Sequence, residues 1–221
     1  MTSFAKLLAG RRSVRGFLSE AVPDITLKAI FELAQKAPSN CNTQPWKVFC
    51  ASGLTLQRLR EELIQTASLD TEPKPDFPML PGFDGVYRDR QVECAMALYG
   101  NIGVQRGDKE ARKAAALRNF DFFDAPHVAF ITMPSNFGIF NALDLGIYLQ
   151  TLMLSMTSYG VSSCAQGALA LYPELVRRVL DISEENAILV GVSFGFEDPS
   201  HPANKTILGR AGVDEVVSFY D

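Results

Sequence analysis

Ala187-Ile188-Leu189-Val190-Gly191-Val192-Ser193-Phe194-Gly195-Phe196 is the stretch on which the fold turns. Its β-branched and aromatic residues read as a buried strand. It also contains Gly191-Val192-Ser193-Phe194-Gly195, a match to GxSxG, and Asp198 and His201 follow in the order of a hydrolase triad. The two readings predict different architectures. A nucleophile elbow needs a strand before the serine and a helix directly after it, so that the hydroxyl stands on a sharp turn. The residues that follow, Phe196-Glu197-Asp198-Pro199-Ser200-His201-Pro202, cannot form that helix. Asp198 and His201 are also too near Ser193 in sequence to return from distant strand ends. The stretch is therefore a core strand with small residues for close packing, and hydrolysis through Ser193 is the remote alternative.

Working outward, Val161 to Ala165 reads as a short strand and Pro173 to Leu180 as a helix with proline in its first turn. Asn141 to Tyr159 is apolar on nearly every face, which predicts a core or subunit-interface helix. Asp144, Asn141 and Gln150 leave it short of the ~20 consecutive apolar residues of a membrane span. Strands are expected at 46–51 and 127–133, and helices near residues 4–8, at 24–37, 54–66, 86–105 and 109–117. Four prolines between 71 and 82 predict an irregular exposed loop or lid. After a polar arm over 197–212, Val213 to Tyr220 reads as a fifth strand. The sum is an α+β fold of one domain over residues 1–221, without a strict strand-helix alternation.

The chain has 221 residues, 47% of them hydrophobic, enough for a well-buried core. A net charge of −4 argues against a nucleic-acid-binding face. Cys41, Cys50, Cys94 and Cys164 show no CxxC spacing and only His127 and His201 accompany them, so no metal site is expected. The first residues lack a basic segment followed by a long apolar run, and a cytoplasmic protein with free thiols is expected.

Two cationic segments stand at opposite ends of this acidic chain: Arg11-Arg12-Ser13-Val14-Arg15, and Lys205 with Arg210. Arginine forks beside a hydroxyl can satisfy several phosphate oxygens together. A solvated charge run is the plainer reading. Between them, Ala37-Pro38-Ser39-Asn40-Cys41-Asn42-Thr43-Gln44-Pro45-Trp46 gathers amides and hydroxyls before a strand. It reads either as donors for a planar heteroaromatic ring or as a turn capped by its own side chains. Neither GxGxxG nor GxxxxGK[ST] occurs, so Rossmann and P-loop folds are not expected.

Together these segments resemble the nitroreductase family of FMN-dependent NAD(P)H oxidoreductases, over nearly the whole chain. The markers are Arg-Arg-Ser-Val-Arg at 11–15, Pro-Ser-x-x-Asn-x-Gln-Pro-Trp at 38–46, Cys-Ala-Gln-Gly-Ala-Leu at 164–169, Gly-Phe-Glu-Asp-Pro at 195–199 and the tail from Asn204 to Arg210. Tyr87-Arg88-Asp89-Arg90 and Leu143-Asp144-Leu145-Gly146 bring it nearest to the subgroup of nitrobenzoate reductases.

The resemblance implies a three-layer α/β/α sandwich around a mixed, mainly antiparallel sheet. It further implies a homodimer with FMN at the interface and a C-terminal arm, 197–221, that embraces the partner. Arg11, Arg12, Ser13 and Arg15 would meet the phosphate and ribityl end, closed from the tail by Arg210 and Lys205. Pro38, Ser39 and Asn42 would approach the ring or ribityl chain. The backbone at Gln166 and Gly167 would lie near flavin N5. Relatives often carry an arginine three residues before Arg210, where this chain has Ile207.

The implied activity is ping-pong: NADH or NADPH reduces the flavin and leaves, and a nitroaromatic or quinone-like aromatic acceptor follows. No catalytic side chain is then required. Reductive dehalogenation or another flavin chemistry of the superfamily is the alternative. Phe120 and Phe123 are candidates for an aromatic substrate surface, with core packing as their plainer role. Arg88 and Arg90 are candidates for a substrate carboxylate.

Overall fold

A computed structural model describes residues 3–221; Met1 and Thr2, which belong to the N-terminal reading above, lie outside the described residues. Four strands are described: β1 (Lys47–Ser52), β2 (His127–Pro134), β3 (Ser162–Gln166) and β4 (Asn186–Gly195). They form one antiparallel sheet in the order β1-β2-β4-β3. The opening stretch is thus a central strand, as its composition predicts. The parallel component of the expected mixed sheet is reduced to one bridge, Ser13 to Ser163, at the β3 edge.

Alternation sorts the strand residues onto two faces. Phe49, Ala51, Val128, Phe130, Cys164 and Ile188 face a core closed by α3 (Gly53–Ser68) and α7 (Pro173–Leu180). Ala129, Ile131, Met133, Val192 and Phe194 face a second core closed by α2 (Asp24–Ala34) and α6 (Ile139–Ser158). This is the three-layer sandwich. Leu189 is the extra residue at the β2–β4 register shift, which lets Ile188 and Val190 face opposite cores despite their even spacing.

α6 is long and apolar enough by composition to cross a membrane, yet Leu145, Tyr148, Leu152 and Met156 pack it on the sheet. Its first turns differ: Ile139, Phe140 and Leu143 are exposed. α1 (Phe4–Gly10) opens the described chain; α4 (Gly85–Asn101) has no buried residue in 17 positions, and α5 (Lys109–Leu117) follows it.

The expected strand at 213–220 is not formed. Val213–Val216 is one helical turn, α8, and residues 217–221 are irregular. Local capping explains it: Glu215 Oε1 accepts the Gly212 N–H at 2.9 Å, and two acidic residues stand at the positive end of the turn.

The proline-rich segment is irregular, as expected, but it is tied down. Asp76 pairs with Arg177 at 2.6 Å and accepts the Ile188 N–H at 2.7 Å, and Lys74 N donates to Leu171 O at 3.1 Å.

Candidate functional site

The two ends of the chain are zipped together. Leu18 N donates to Phe196 O at 2.9 Å and Asp198 N to Gly16 O at 3.0 Å. Asn204, buried, receives the Arg15 N–H on its side-chain oxygen at 2.7 Å and donates its amide to Gly16 O at 2.8 Å and Asp198 O at 2.9 Å. Sequence reasoning named Asn204 only as the start of the tail marker and gave it no role, because nothing in its neighbours marks an asparagine with partners 189 and 188 residues away. Gly16 is required by the same approach: a Cβ there would collide with the His201 ring.

Within this zipper the arginines divide. Arg12 is occupied: its guanidinium bonds Glu197 and, at 2.6 Å, Asn204 O. It latches the tail to the N-terminal segment, where a phosphate contact was expected of it. The Arg11 guanidinium makes no hydrogen bond or ion pair among the described residues, and the Arg15 guanidinium donates only to Ser13 O at 3.3 Å. Both guanidiniums are therefore available to an anion. Arg11 borders a cleft of about 100 Å³ with Gly10, Thr157, Gly160 and Ser163. Lys205 closes the short turn Pro202–Lys205 directly after Asn204, exposed and without an ion pair among the described residues.

Cys164 lies beneath. Burial pushes its thiol pKa up, opposed by the Arg15 charge, a Ser13 hydrogen bond and the Arg11 charge. Arg210 lines a separate groove with Arg90 and Glu93 between α4 and the arm, donating to Leu208 O and Gly209 O. Asn101 to Thr206, 3.0 Å, and Arg90 to Glu215, 3.4 Å, hold the arm on α4 of its own chain.

The loop after Pro38 is a single turn, Asn40–Asn42, with Cys41, Asn42 and Gln44 all at positive φ (49°, 56° and 46°). Ser39 Oγ accepts the Gln44 N–H at 2.9 Å, while the Asn42 side chain is exposed and makes no hydrogen bond among the described residues. Both readings of this loop coexist: it is capped by its own side chains and still offers a free amide.

These two groups are not brought together within one chain. The loop precedes β1 at one sheet edge and the Arg11–Arg15 segment flanks β3 at the other, four strand spacings or about 19 Å apart. α6 measures the same gap: Asp144 bonds the loop and Thr157 lines a cleft with Gly10 and Arg11, about 20 Å along the helix at 1.5 Å per residue.

Gln166 ends β3 with its side chain fully engaged. Its amide donates to Asn119 O at 2.9 Å and Asn119 Oδ1 at 3.3 Å, and its carbonyl accepts from Ser193. Only backbone remains for a ligand there, beside exposed Gly167. Ser193 is wholly buried mid-strand, with Leu169 and Pro126 filling the space a side chain at Gly191 or Gly195 would need (2.5 Å and 2.6 Å). The hydrolase alternative is overturned: the serine stands on no elbow, and GxSxG here is close packing.

Phe120 and Phe123, candidates for an aromatic substrate surface, are 6% and 5% exposed and packed in the α3 core, the plainer role. Phe122, Phe123 and Asp124 run left-handed in succession, a strained turn held by Arg118 to Asp121 and Asp124 and by Arg60 to Asp121. Arg88 is exposed and bonds Gln91, a helix-surface role.

Comparison with known proteins matches residues 8–196 to the model of the nitroreductase family. The chain belongs to that family. The nitroreductase NfnB of Mycolicibacterium smegmatis is 40% identical over 215 residues, covering 97% of this chain and 91% of the relative. The 4-nitrobenzoate reductase of a Nocardioides species is 34% identical, over 98% and 90%. Among solved structures, the FMN and NADPH-dependent nitroreductase NfnB of Sphigopyxis sp. strain HMH superposes with a TM-score of 0.96 at 31% identity, covering all of both chains. As a nitroreductase, the chain supplies the family's α+β frame with its cationic and amide-rich segments on opposite sheet edges.

Proposed function

We propose that this protein is an FMN-dependent oxidoreductase that takes electrons from NAD(P)H and reduces nitroaromatic or quinone-like acceptors, working as a homodimer. The observation that carries the reading is the donor set at the β3 edge. Arg11, Arg15 and Lys205 are cations without carboxylate partners among the described residues; Arg11 and Arg15 flank Ser13 in sequence, Lys205 follows the Asn204 that binds Arg15 N–H, and that chemistry fits a phosphomonoester. Support for NADPH as donor and 4-nitrobenzoate as acceptor comes from the relatives described under those names.

The gap of about 19 Å between the half-sites supports a dimer in which one chain's arginine edge meets the partner's 38–46 loop. So does the unburied length of α4, with Val86, Tyr87 and Met96 exposed, together with Phe219 and Tyr220 of the arm. Pro38, Ser39 and Asn42 would then face the ring or ribityl chain of a site completed by the partner.

Bound FMN supplies hydride chemistry that no protein side chain offers. The chain's task is to hold and orient it. Arg11, Ser13, Arg15 and Lys205 neutralise and fix the phosphate, with Arg210 closing from the arm. The backbone at Gln166 and Gly167, held by the Gln166 side-chain bonds, presents a rigid polar edge to the ring.

The purified protein is expected to be yellow, to bleach under anaerobic NADPH and to recover colour on addition of 4-nitrobenzoate. A colourless protein that cannot be reconstituted with FMN would overturn the reading. Recovery with halogenated phenols alone would assign it to reductive dehalogenation instead.

A further inference from the structure

We propose that Asp144 is a positioning residue for the flavin: its buried carboxylate fixes the Ser39–Gln44 loop in the conformation that presents Ser39 and Asn42. The proposal rests on the FMN reading above. Asp144 lies on α6, 4% exposed, and its Oδ1 accepts the Asn40 N–H at 3.0 Å. Of the described hydrogen bonds made by residues 39–44, this is the one that reaches outside the loop.

Asp144 is an expensive way to hold a loop. No Lys, Arg or His pairs with it among the described residues, and its Oδ2 is buried without a partner. One turn on, the Tyr148 hydroxyl is also buried and unpartnered, its ring stacked on Trp46 at 4.8 Å. A buried, unpaired carboxylate disfavours the folded state, and an apolar residue would suit the helix better. The loop above it carries the compensating feature. Cys41, Asn42 and Gln44 are non-glycine residues in left-handed backbone, a state that persists only where its surroundings over-determine it. Local bonds close the loop on itself, and Asp144 sets where the closed loop sits.

The test compares Asp144→Leu, Asp144→Asn and Asn40→Pro by FMN titration of deflavinated protein and by amide exchange of residues 41–44 without FMN. Asn40→Pro deletes the donor with little else, the Asn40 side chain accepting one long bond from Cys41 Sγ at 3.5 Å: proline suits the first position of the turn, and Ser39 is already extended at φ −146°, ψ 161°. Asp144→Leu and Asn40→Pro should each weaken FMN binding about tenfold or more and speed loop exchange similarly, the loss of one charge-assisted bond. Asp144→Asn keeps an oxygen acceptor and should stay within roughly threefold of wild type, and the double variant should be no worse than either single one. Wild-type affinity and exchange in Asp144→Leu would overturn the proposal, as would an Asn variant as impaired as the Leu variant. A wild-type protein that takes up no FMN would overturn the flavin reading itself, a failure visible before any substitution is made.

Discussion

Ser193 donates its hydroxyl hydrogen to the side-chain carbonyl of Gln166, between diagonal neighbours on β4 and β3. The bond orients the Gln166 amide, whose NH₂ then reaches Asn119 on the turn after α5. One serine thereby links the centre of the sheet to the edge where β3 ends.

Ser193→Ala should leave a buried carbonyl unsatisfied and lower stability by about 1 to 3 kcal/mol. Urea unfolding measures the loss. Esterase assays should show none in either protein, and esterase activity that disappears with Ser193 would restore the hydrolase reading.

The arginines should separate by experiment as they do by partner. Arg11→Ala and Arg15→Ala should each weaken FMN binding by about 1.5 to 3 kcal/mol, roughly ten- to hundredfold in Kd, with little change in the melting temperature of flavin-free protein. Arg12→Ala should act in the opposite order, lowering that melting temperature first, because it frees Glu197 and the Asn204 carbonyl. Fluorescence titration and thermal melts on the same preparations distinguish the two patterns.

Asp76→Ala would strip a nearly buried guanidinium of its main partner and leave the Ile188 N–H without an acceptor. A loss of about 3 to 5 kcal/mol is expected. Limited proteolysis should at the same time find new cleavage in residues 77–84, which the Asp76 anchor holds; an unchanged digest would show that the segment is fixed elsewhere.

His127 accepts the Val22 N–H on Nε2 at 2.9 Å, stacks on Phe194, and is buried. Burial lowers its pKa from the ordinary 6.5, with Asp24 opposing weakly. The folded state therefore binds its proton less readily than the unfolded chain. Its stabilising contribution is complete above about pH 6.5 and declines as pH falls toward the folded pKa. Denaturation series at pH 7.5 and 5.5 should show that decline, reduced in His127→Gln.

Long periodic or proline-bounded segments were legible in the sequence because their signals are local. β4, α6 and α7 appear within a residue or two of their expected bounds. The terminal strand was misread because valines and aromatics signal a strand only where a sheet edge receives them, and Gly212 with Glu215 offered a cheaper local turn. The candidate site was visible as composition, in its arginines and its Asn-Gln loop. Its wiring was not. That Arg12 is already engaged, that Phe120 and Phe123 fill the core, and that Asn204 joins the two ends are all facts of tertiary contact between residues distant in sequence.

The separation of the arginine edge from the amide-rich loop makes damage shareable. If each flavin site takes one edge from each subunit, a chain lacking Arg11 and Arg15 and a chain with a disabled loop are both empty as pure dimers. Mixed, they assemble one doubly broken site and one with every native contact restored. Two inactive preparations would then regain colour on co-refolding, to at most half of the full flavin content of the mixed dimers.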